Sequence, residues 1–141
     1  MVTLQKTIRN RISDLDSVRE LVSALEHACQ LHACPLPEKV VFDINVVFDE
    51  LLSNIIKYGY DDGALHEIHV ALSASAAVIE IRIEDDGKAF DPLSLPEPDV
   101  SLPLAERPVG GLGIHFVRQL MDRVEYKREN NHNYLFLNKY L

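Results

Sequence analysis

Hydrophobic positions along the chain repeat with two periods, one typical of strands and the other typical of helices. Alternating apolar and polar residues predict five strands, over residues 2–10, 67–72, 78–84, 124–128 and 134–141. Apolar residues three and four positions apart predict three helices, over residues 15–29, 37–58 and 112–122. This order of elements predicts an α/β fold, a two-layer sandwich in which helices cover one face of a mixed, mostly antiparallel sheet.

Prolines and glycines are concentrated in one stretch of the chain. Five of the seven prolines and four of the six glycines lie between Gly87 and Gly113. So many chain-bending residues predict an irregular loop, and loops of this length are usually functional or mobile. Because no repeat and no second domain is evident in the pattern, residues 1–141 are predicted to form a single domain.

The charge of the chain argues against some classes of protein. It carries 22 acidic and 14 basic residues, a net charge of −8, whereas direct binding to nucleic acid requires a basic surface. Residues 1–109 hold 19 acids and 9 bases, and residues 110–141 hold 3 acids and 5 bases, which favours an anionic ligand near the C-terminal third.

No stretch approaches the ~18 apolar residues of a membrane span, and no signal-peptide core is present, so we expect a cytoplasmic protein without membrane contact.

The second predicted helix carries a polar stripe whose side chains could take part in catalysis or ligand binding. Glu50, Asn54 and Lys57 are spaced four and then three positions apart, so they project from one helix face. A carboxylate can accept a proton, an amide oxygen can bind a hard cation such as Mg²⁺, and an ammonium group can contact a phosphate. The simpler interpretation of the same stripe is a solvated helix face.

Two glycine-containing segments flank the Pro/Gly-rich stretch. Asp85 and Gly87 follow the third strand, where an acid can meet the donor edge of a ligand and a glycine allows close approach, although Asp-x-Gly is also common in turns. Residues 110–113, Gly-Gly-Leu-Gly, directly precede the third helix. Glycines at a helix N-terminus expose backbone N–H groups to anions such as phosphates, while a flexible hinge is the alternative.

Two other polar groups have simpler interpretations. His66 and His69 are three positions apart at the start of a strand, which places them on opposite faces and favours surface histidines over a shared metal site. Asp61 and Asp62 are typical of a turn.

The order of the three motifs is more specific than any one of them. Glu-x-x-x-Asn on a helix, Asp-x-Gly after a strand and Gly-x-Gly before a helix resemble the N box, G1 box and G2 box of the ATPase superfamily that includes gyrase, the heat-shock chaperone, histidine kinases and mismatch-repair proteins. The resemblance covers nearly the whole chain and implies a Bergerat-type ATP-binding fold. Because the chain is short and lacks a phosphoacceptor helix, it is most similar to the bacterial anti-sigma factor serine kinases.

The resemblance implies roles for individual residues. The N-box acid of such proteins is the general base and the N-box amide binds Mg²⁺, which are the roles implied for Glu50 and Asn54. Asp85 would bind the adenine amino group, and Gly87 would let the base approach closely. Residues 91–109 would be the ATP lid. The triphosphate would be wrapped by the G2 segment, which comprises Gly110, Gly111, Leu112 and Gly113.

Three cations and one histidine are further candidates for contact with the nucleotide. Lys57 stands where many serine-kinase relatives are expected to carry His and where histidine kinases often carry Lys, and it could contact a phosphate. Arg107 and Lys88 are lid-side candidates for the γ-phosphate. His115, one turn into the third helix, could contact the phosphates or contribute to packing.

The function that the resemblance implies is an ATP- and Mg²⁺-dependent serine/threonine protein kinase of the anti-sigma factor type. Its substrate would be a small anti-sigma antagonist protein, its second partner a sigma factor, and its assembly a homodimer. Two alternatives stay open. One is a nucleotide-gated protein-binding module without phosphoryl transfer, and the other is a histidine-kinase-like catalytic domain that acts on a separate chain, which Lys57 supports.

Overall fold

A computed structural model of the chain describes residues 1–94 and 111–141. The strands of this part span Val2–Arg9 (β1), Glu67–Ala74 (β2), Val78–Asp85 (β3), Arg123–Glu129 (β4) and His132–Tyr140 (β5). Its α-helices span Leu15–Leu31 (α1), Glu38–Tyr58 (α2) and Gly111–Leu120 (α3), and short 3₁₀ turns span Ile12–Asp14 and Pro92–Ser94. Each predicted element is therefore present, with ends that differ by a few residues from the predicted ones.

The five strands form one sheet in the order β1-β2-β3-β5-β4. All four pairings between these strands are antiparallel, so the described sheet is antiparallel throughout and not mixed. Strand β5 lies between β3 and β4, which brings the last strand of the chain against the middle of the sheet. The predicted two-layer α/β fold with a mostly antiparallel sheet is confirmed, and the register places Asp85 opposite Asn133.

The core lies between one face of the sheet and the three helices. Because side chains alternate along a strand, β2, β3 and β5 each direct every second residue into this layer. The buried sheet residues are mainly branched aliphatic, and they include Ile68, Val70, Leu72, Ile79, Ile81, Ile83, Leu135 and Leu137. The helices cover them with Leu21, Val22, Leu25, Ile44, Val47, Phe48, Leu51, Leu52, Ile114 and Val117.

Helix α2 begins and ends close to the residues that the sequence indicates. Pro37 is its N-cap, with an extended ψ of 142°, so the helix starts one residue later than predicted. The missing N–H of proline costs nothing at this end, where the first N–H groups have no partner inside the helix. At the other end the N–H of Gly59 donates to the carbonyl of Ile55 over 2.8 Å, which confirms Gly59 as the C-terminal boundary.

The C-terminal hairpin depends on two residues with unusual backbone angles. Asn130 and Asn131 have φ of 52° and 63°, the left-handed region that asparagine tolerates better than most residues. This turn sets the register of β4 against β5. No helix in the described part is both long and apolar enough to span a membrane.

Candidate functional site

The C-terminal half of α2 is where the predicted motifs meet. A Cβ atom built on Gly113 would overlap the carboxylate of Glu50, so the start of α3 lies directly against that side chain. A Cβ atom on Gly87 would lie 2.8 Å from the carbonyl oxygen of Gly59, which is closer than a side chain tolerates. Position 87 therefore needs glycine because the nearest atom belongs to the backbone, whereas at Gly113 the atoms in the way belong to the flexible side chain of Glu50.

The three polar residues of α2 differ in exposure. Glu50 and Asn54 are half-buried, whereas Lys57 is exposed. The apolar residues beside them face the core because this helix packs one face on the sheet, and the polar stripe therefore lies at the border of the helical layer. At 1.5 Å per residue, Glu50 and Gly59 are about 13 Å apart along the helix, with Asn54 between them.

Asp85 is a buried carboxylate at the end of β3, with 4% of its surface exposed. Its Oδ1 accepts hydrogen bonds from the N–H of Gly87 over 2.9 Å and from the side-chain amide of Asn133 over 3.0 Å. Burial raises the pKa of Asp85, and the hydrogen bonds from Asn133 and Gly87 oppose that rise. The carboxylate is thus oriented through one oxygen by two donors of the protein.

Asn133 organises this end of the site, although the sequence analysis did not identify it. Its amide also donates to the carbonyl of Lys88 over 2.8 Å. Its Oδ1 accepts from the hydroxyl of Tyr126 over 2.5 Å and from the guanidinium of Arg128 over 3.0 Å. Arg128 in turn donates to the carbonyl of Gly87 over 2.8 Å. The C-terminal hairpin therefore holds the turn that follows Asp85.

A signal for Asn133 was present in the sequence. Residue 133 lies one position before the predicted last strand, and continuing the alternation of that strand places it on the face of Leu135 and Leu137. An amide on an otherwise apolar face must find partners inside the protein, because an unpaired buried polar group is costly. The missing information was which strand lies next to it.

His66 lies at the surface but is half-buried. Its side chain is 20% exposed, and its two ring nitrogens face the carboxylates of Asp62 and Asp86. His69 is more open, with 46% of its side chain exposed. The turn role predicted for Asp62 is confirmed, because its Oδ1 accepts from the N–H of Ala64 over 3.0 Å.

Some of the other candidate residues lie within the part of the chain that the structure describes, and others lie outside it. Gly111 and Leu112 are the first residues of α3. Lys88 forms an ion pair with Asp61 at 3.0 Å, and His115 is half-buried on α3. Gly110, Arg107 and residues 95–109 of the predicted lid lie outside the described residues.

The polar groups of α2 fit a magnesium ion that is shared with a phosphate. Within residues 1–94 and 111–141, no group of three or more His, Cys, Asp and Glu side chains forms a metal cage. Magnesium usually keeps several waters and binds one or two protein oxygens together with substrate phosphates. The amide oxygen of Asn54, one helical turn from Glu50, suits that mode of binding.

With this geometry in place, comparison with known proteins identifies the class. The chain belongs to the family described as the histidine kinase-like ATPase domain, which it matches over residues 12–139. This confirms the resemblance that the motif order predicted.

Within this family, the chain is similar to proteins that are named protein kinases. The chain is 29% identical over 96 residues to the serine/threonine-protein kinase BtrW of Bordetella bronchiseptica, an alignment that covers 68% of each protein. It is 31% identical over 92 residues to the serine-protein kinase RsbW of Halalkalibacterium halodurans, covering 62% of this chain and 56% of that protein. The chain thus spans little more than half of the second relative.

Solved structures show the same fold at lower identity. The RsbU and RsbW domains of a Mycobacterium tuberculosis protein superpose with a TM-score of 0.65 at 14% identity, over 99% of this chain and 32% of that one. The histidine kinase domain of a blue-light activated histidine kinase from Erythrobacter litoralis gives 0.57 at 17% identity, over 89% and 60%.

Proposed function

We propose that this chain is a serine/threonine protein kinase that binds ATP along the C-terminal half of α2 and phosphorylates a partner protein. One observation carries the proposal: two glycine-containing segments contact the two ends of the same helical stretch, Gly113 at Glu50 and Gly87 at Gly59. The separation of about 13 Å along the helix suits an extended nucleoside triphosphate. The adenine would lie near Asp85 and the phosphates near the start of α3.

The charge distribution supports this orientation of the nucleotide. Asp85 is an acceptor, which suits the amino group of adenine, and its burial in the core-facing layer excludes competing water. The N-terminus of α3 carries the positive end of the helix dipole, which suits phosphate oxygens. The residues from 110 onward are also the part of the chain in which bases outnumber acids.

Glu50 is proposed as the general base for the attacking hydroxyl group. Phosphoryl transfer requires mainly positioning and neutralisation of charge, and the protein adds an acceptor for the proton of the nucleophile. The carboxylate of Glu50 lies against the start of α3, where the γ-phosphate would be held. Asn54 would bind Mg²⁺, which supplies charge neutralisation when it is bound, and Lys57 would contact a phosphate.

The partners are proposed from the names of the relatives. BtrW is named a serine/threonine-protein kinase and RsbW a serine-protein kinase. We propose the corresponding activity for this chain in the cytoplasm, with a small anti-sigma antagonist as substrate, a sigma factor as second partner, and a homodimer as the active assembly. Size-exclusion chromatography with light scattering measures the assembly, and a monomer at working concentration would contradict the last of these.

A phosphoryl-transfer assay tests the central proposal. The protein is mixed with Mg²⁺ and ATP that is labelled at the γ-phosphate, together with a candidate antagonist protein. Wild type is expected to label the antagonist, and Glu50→Gln is expected to bind ATP but lose transfer. Glu80→Gln, which changes an exposed acid on β3, is the matched control and should keep full transfer. Equal transfer by wild type and Glu50→Gln would overturn the role of Glu50.

The same assay separates the alternatives. The likeness in fold to a histidine kinase domain, together with Lys57, favours a histidine acceptor as the second candidate. Phosphohistidine is lost in acid whereas phosphoserine survives it, so acid treatment of the labelled product distinguishes them. Nucleotide-dependent partner binding without any label transfer would instead support a nucleotide-gated binding module.

A further inference from the structure

The imidazole ring of His66 is held between two carboxylates. Its Nε2 lies 2.7 Å from Oδ2 of Asp62, and its Nδ1 lies 3.2 Å from Oδ2 of Asp86. The ring of Tyr60 stacks on it, with centroids 4.4 Å apart and planes inclined by 17°. We call these four residues the His66 bracket. It joins the loop after α2 to the turn after β3.

The backbone around His66 is also fixed. Its N–H donates to the side-chain oxygen of Asn10 over 2.8 Å, and its carbonyl accepts from the N–H of Asn10 over 3.1 Å. The ring therefore stands on a rigid base at the start of β2. Its position does not depend on the two carboxylates alone.

Only one protonation state of His66 satisfies both contacts. Ionised carboxylates can only accept hydrogen bonds, and a neutral imidazole has a single N–H donor. The imidazolium form has two donors, one for each carboxylate, and its positive charge lies between two negative charges. When the ring loses its proton, one contact becomes a lone pair that faces a carboxylate, so the bracket opens on one side.

The bracket reaches the candidate nucleotide site through the turn after β3. Asp86 directly follows Asp85, whose Oδ1 is held by Gly87 and Asn133. The same turn is tied to the end of α2 by the N–H of Lys88, which donates to the carbonyl of Gly59 over 2.8 Å. The position of Asp85 relative to α2 thus depends on contacts that include the bracket.

We propose that His66 is a positioning residue of the nucleotide site: bound to Asp62 and Asp86 under the ring of Tyr60, it holds the turn at Asp85 against the end of α2. ATP affinity then follows the protonation of His66. The inference rests on the proposed nucleotide-binding function, and it adds a pH dependence that the proposed function does not require.

The surrounding charges agree with this inference. Hydrogen bonds to Asp62 and, second, to Asp86 raise the pKa of His66 above its ordinary value of 6.5. Burial and the neighbouring acids raise the pKa of Tyr60, so its hydroxyl stays neutral. Among the other charged groups on the adjoining elements, Asp61 pairs with Lys88 and Arg9 with Glu67, His69 lies near Glu67, and Asp85 is buried beside the turn.

The direction of the pH effect follows from the raised pKa. The bracket is complete below about pH 6.5 and is lost as the pH rises through the pKa of His66 in the folded protein. ATP affinity should therefore fall across this range. If nucleotide binding and protonation are coupled by one pKa unit, the dissociation constant rises by about tenfold.

The test compares the ATP dissociation constant of four proteins between about pH 6 and pH 8.5. They are wild type, His66→Gln, Asp62→Asn and the control His69→Gln, which changes an exposed histidine on β2. Wild type and the control should lose ATP affinity as the pH rises. His66→Gln should lack the part of this loss that comes from deprotonation of His66. Asp62→Asn removes the contact that contributes most to the raised pKa, so its fall should begin at lower pH. Since ATP itself titrates alike in all four, the difference between variants is the readout.

A second measurement does not depend on the behaviour of a variant. The pKa of His66 is measured by NMR in wild type with and without ATP, and by reciprocity ATP should raise it. Parallel pH profiles for wild type and His66→Gln, or a His66 pKa that ATP leaves unchanged, would overturn this inference alone. Absence of ATP binding by wild type at every pH would instead overturn the proposed function, and this inference with it.

Discussion

Asp85, at the end of β3, is the residue for which the proposed binding role and the stability of the fold make opposite demands. Asp85 is buried among groups of the core layer, where ionisation of a carboxylate is costly. Two donors reduce that cost without removing it, since the pKa of the residue remains raised. A buried carboxylate with a raised pKa is typical of a binding site, which agrees with the adenine-binding role proposed for Asp85.

This residue should make stability depend on pH. Because the pKa of Asp85 is raised above 3.8 in the folded protein, its favourable contribution is complete below that value and is lost as the pH rises through the folded pKa. We therefore expect Asp85→Asn to gain stability relative to wild type between about pH 4 and pH 7. Urea unfolding across this range measures the difference. A difference that stays constant or shrinks would contradict the expectation, and Glu80→Gln on the same strand is the control.

Asn133 is expected to matter for both folding and binding. Asn133→Ala removes donors to Asp85 and Lys88 and the acceptor for Tyr126. We expect the free energy of unfolding to fall by about 1–3 kcal/mol, since buried partners are left unpaired. ATP affinity should fall as well.

Chemical denaturation and a binding titration measure the two effects of Asn133→Ala. The matched control is Asn138→Ala, whose side chain lies on the other face of β5 and which keeps the backbone carbonyl that accepts from Asp122. Equal losses in both variants would show that position 133 has no special role.

At the scale of elements, α2 connects the parts of the candidate site. Its apolar face packs on the sheet, its polar stripe borders the start of α3, and Gly59, which caps its C-terminus, receives the turn after β3. The sequence was sufficient to predict this helix, its polar stripe and its end, because all three are local properties of period and capping. The contact of Gly113 with Glu50 is not local and could be expected only from the family resemblance.

The start of α3 provides a test at this scale. Gly113→Ala should keep the free energy of unfolding or raise it by up to about 1 kcal/mol, since alanine favours helices and only the flexible end of Glu50 stands in the way. Phosphoryl transfer should fall by roughly tenfold to hundredfold, because the displaced carboxylate is the proposed base. Thermal unfolding and the label-transfer assay measure these effects.

The control for Gly113→Ala is Gln119→Ala, which changes an exposed residue of the same helix. It should alter neither property. A loss of stability with normal transfer in Gly113→Ala would mean that the glycine serves the packing of α3 and not the position of Glu50.

At the scale of the whole molecule, a bound nucleotide should stabilise the fold. Its proposed contacts join β3, α2 and α3, which are held together mainly by the apolar layer beneath them. A ligand at a hundredfold excess over its dissociation constant adds about 2.7 kcal/mol, which corresponds to a rise in Tm of roughly 10 °C for a chain of this size. Mg-ATP should produce this rise in wild type and little of it in Asp85→Asn. An equal rise in both would contradict the role of Asp85.

The sequence by itself determined the kinds of elements, their order and the residues of the three motifs, since periodicity, capping and turn preferences act over a few neighbouring residues. The tertiary structure decided which distant residues complete the site. Asn133 contacts Asp85 because β5 lies beside β3. His66 contacts Asp86 because the start of β2 lies beside the end of β3. Strand order and register are set by burial of the whole sheet, so no local sequence pattern could predict these contacts.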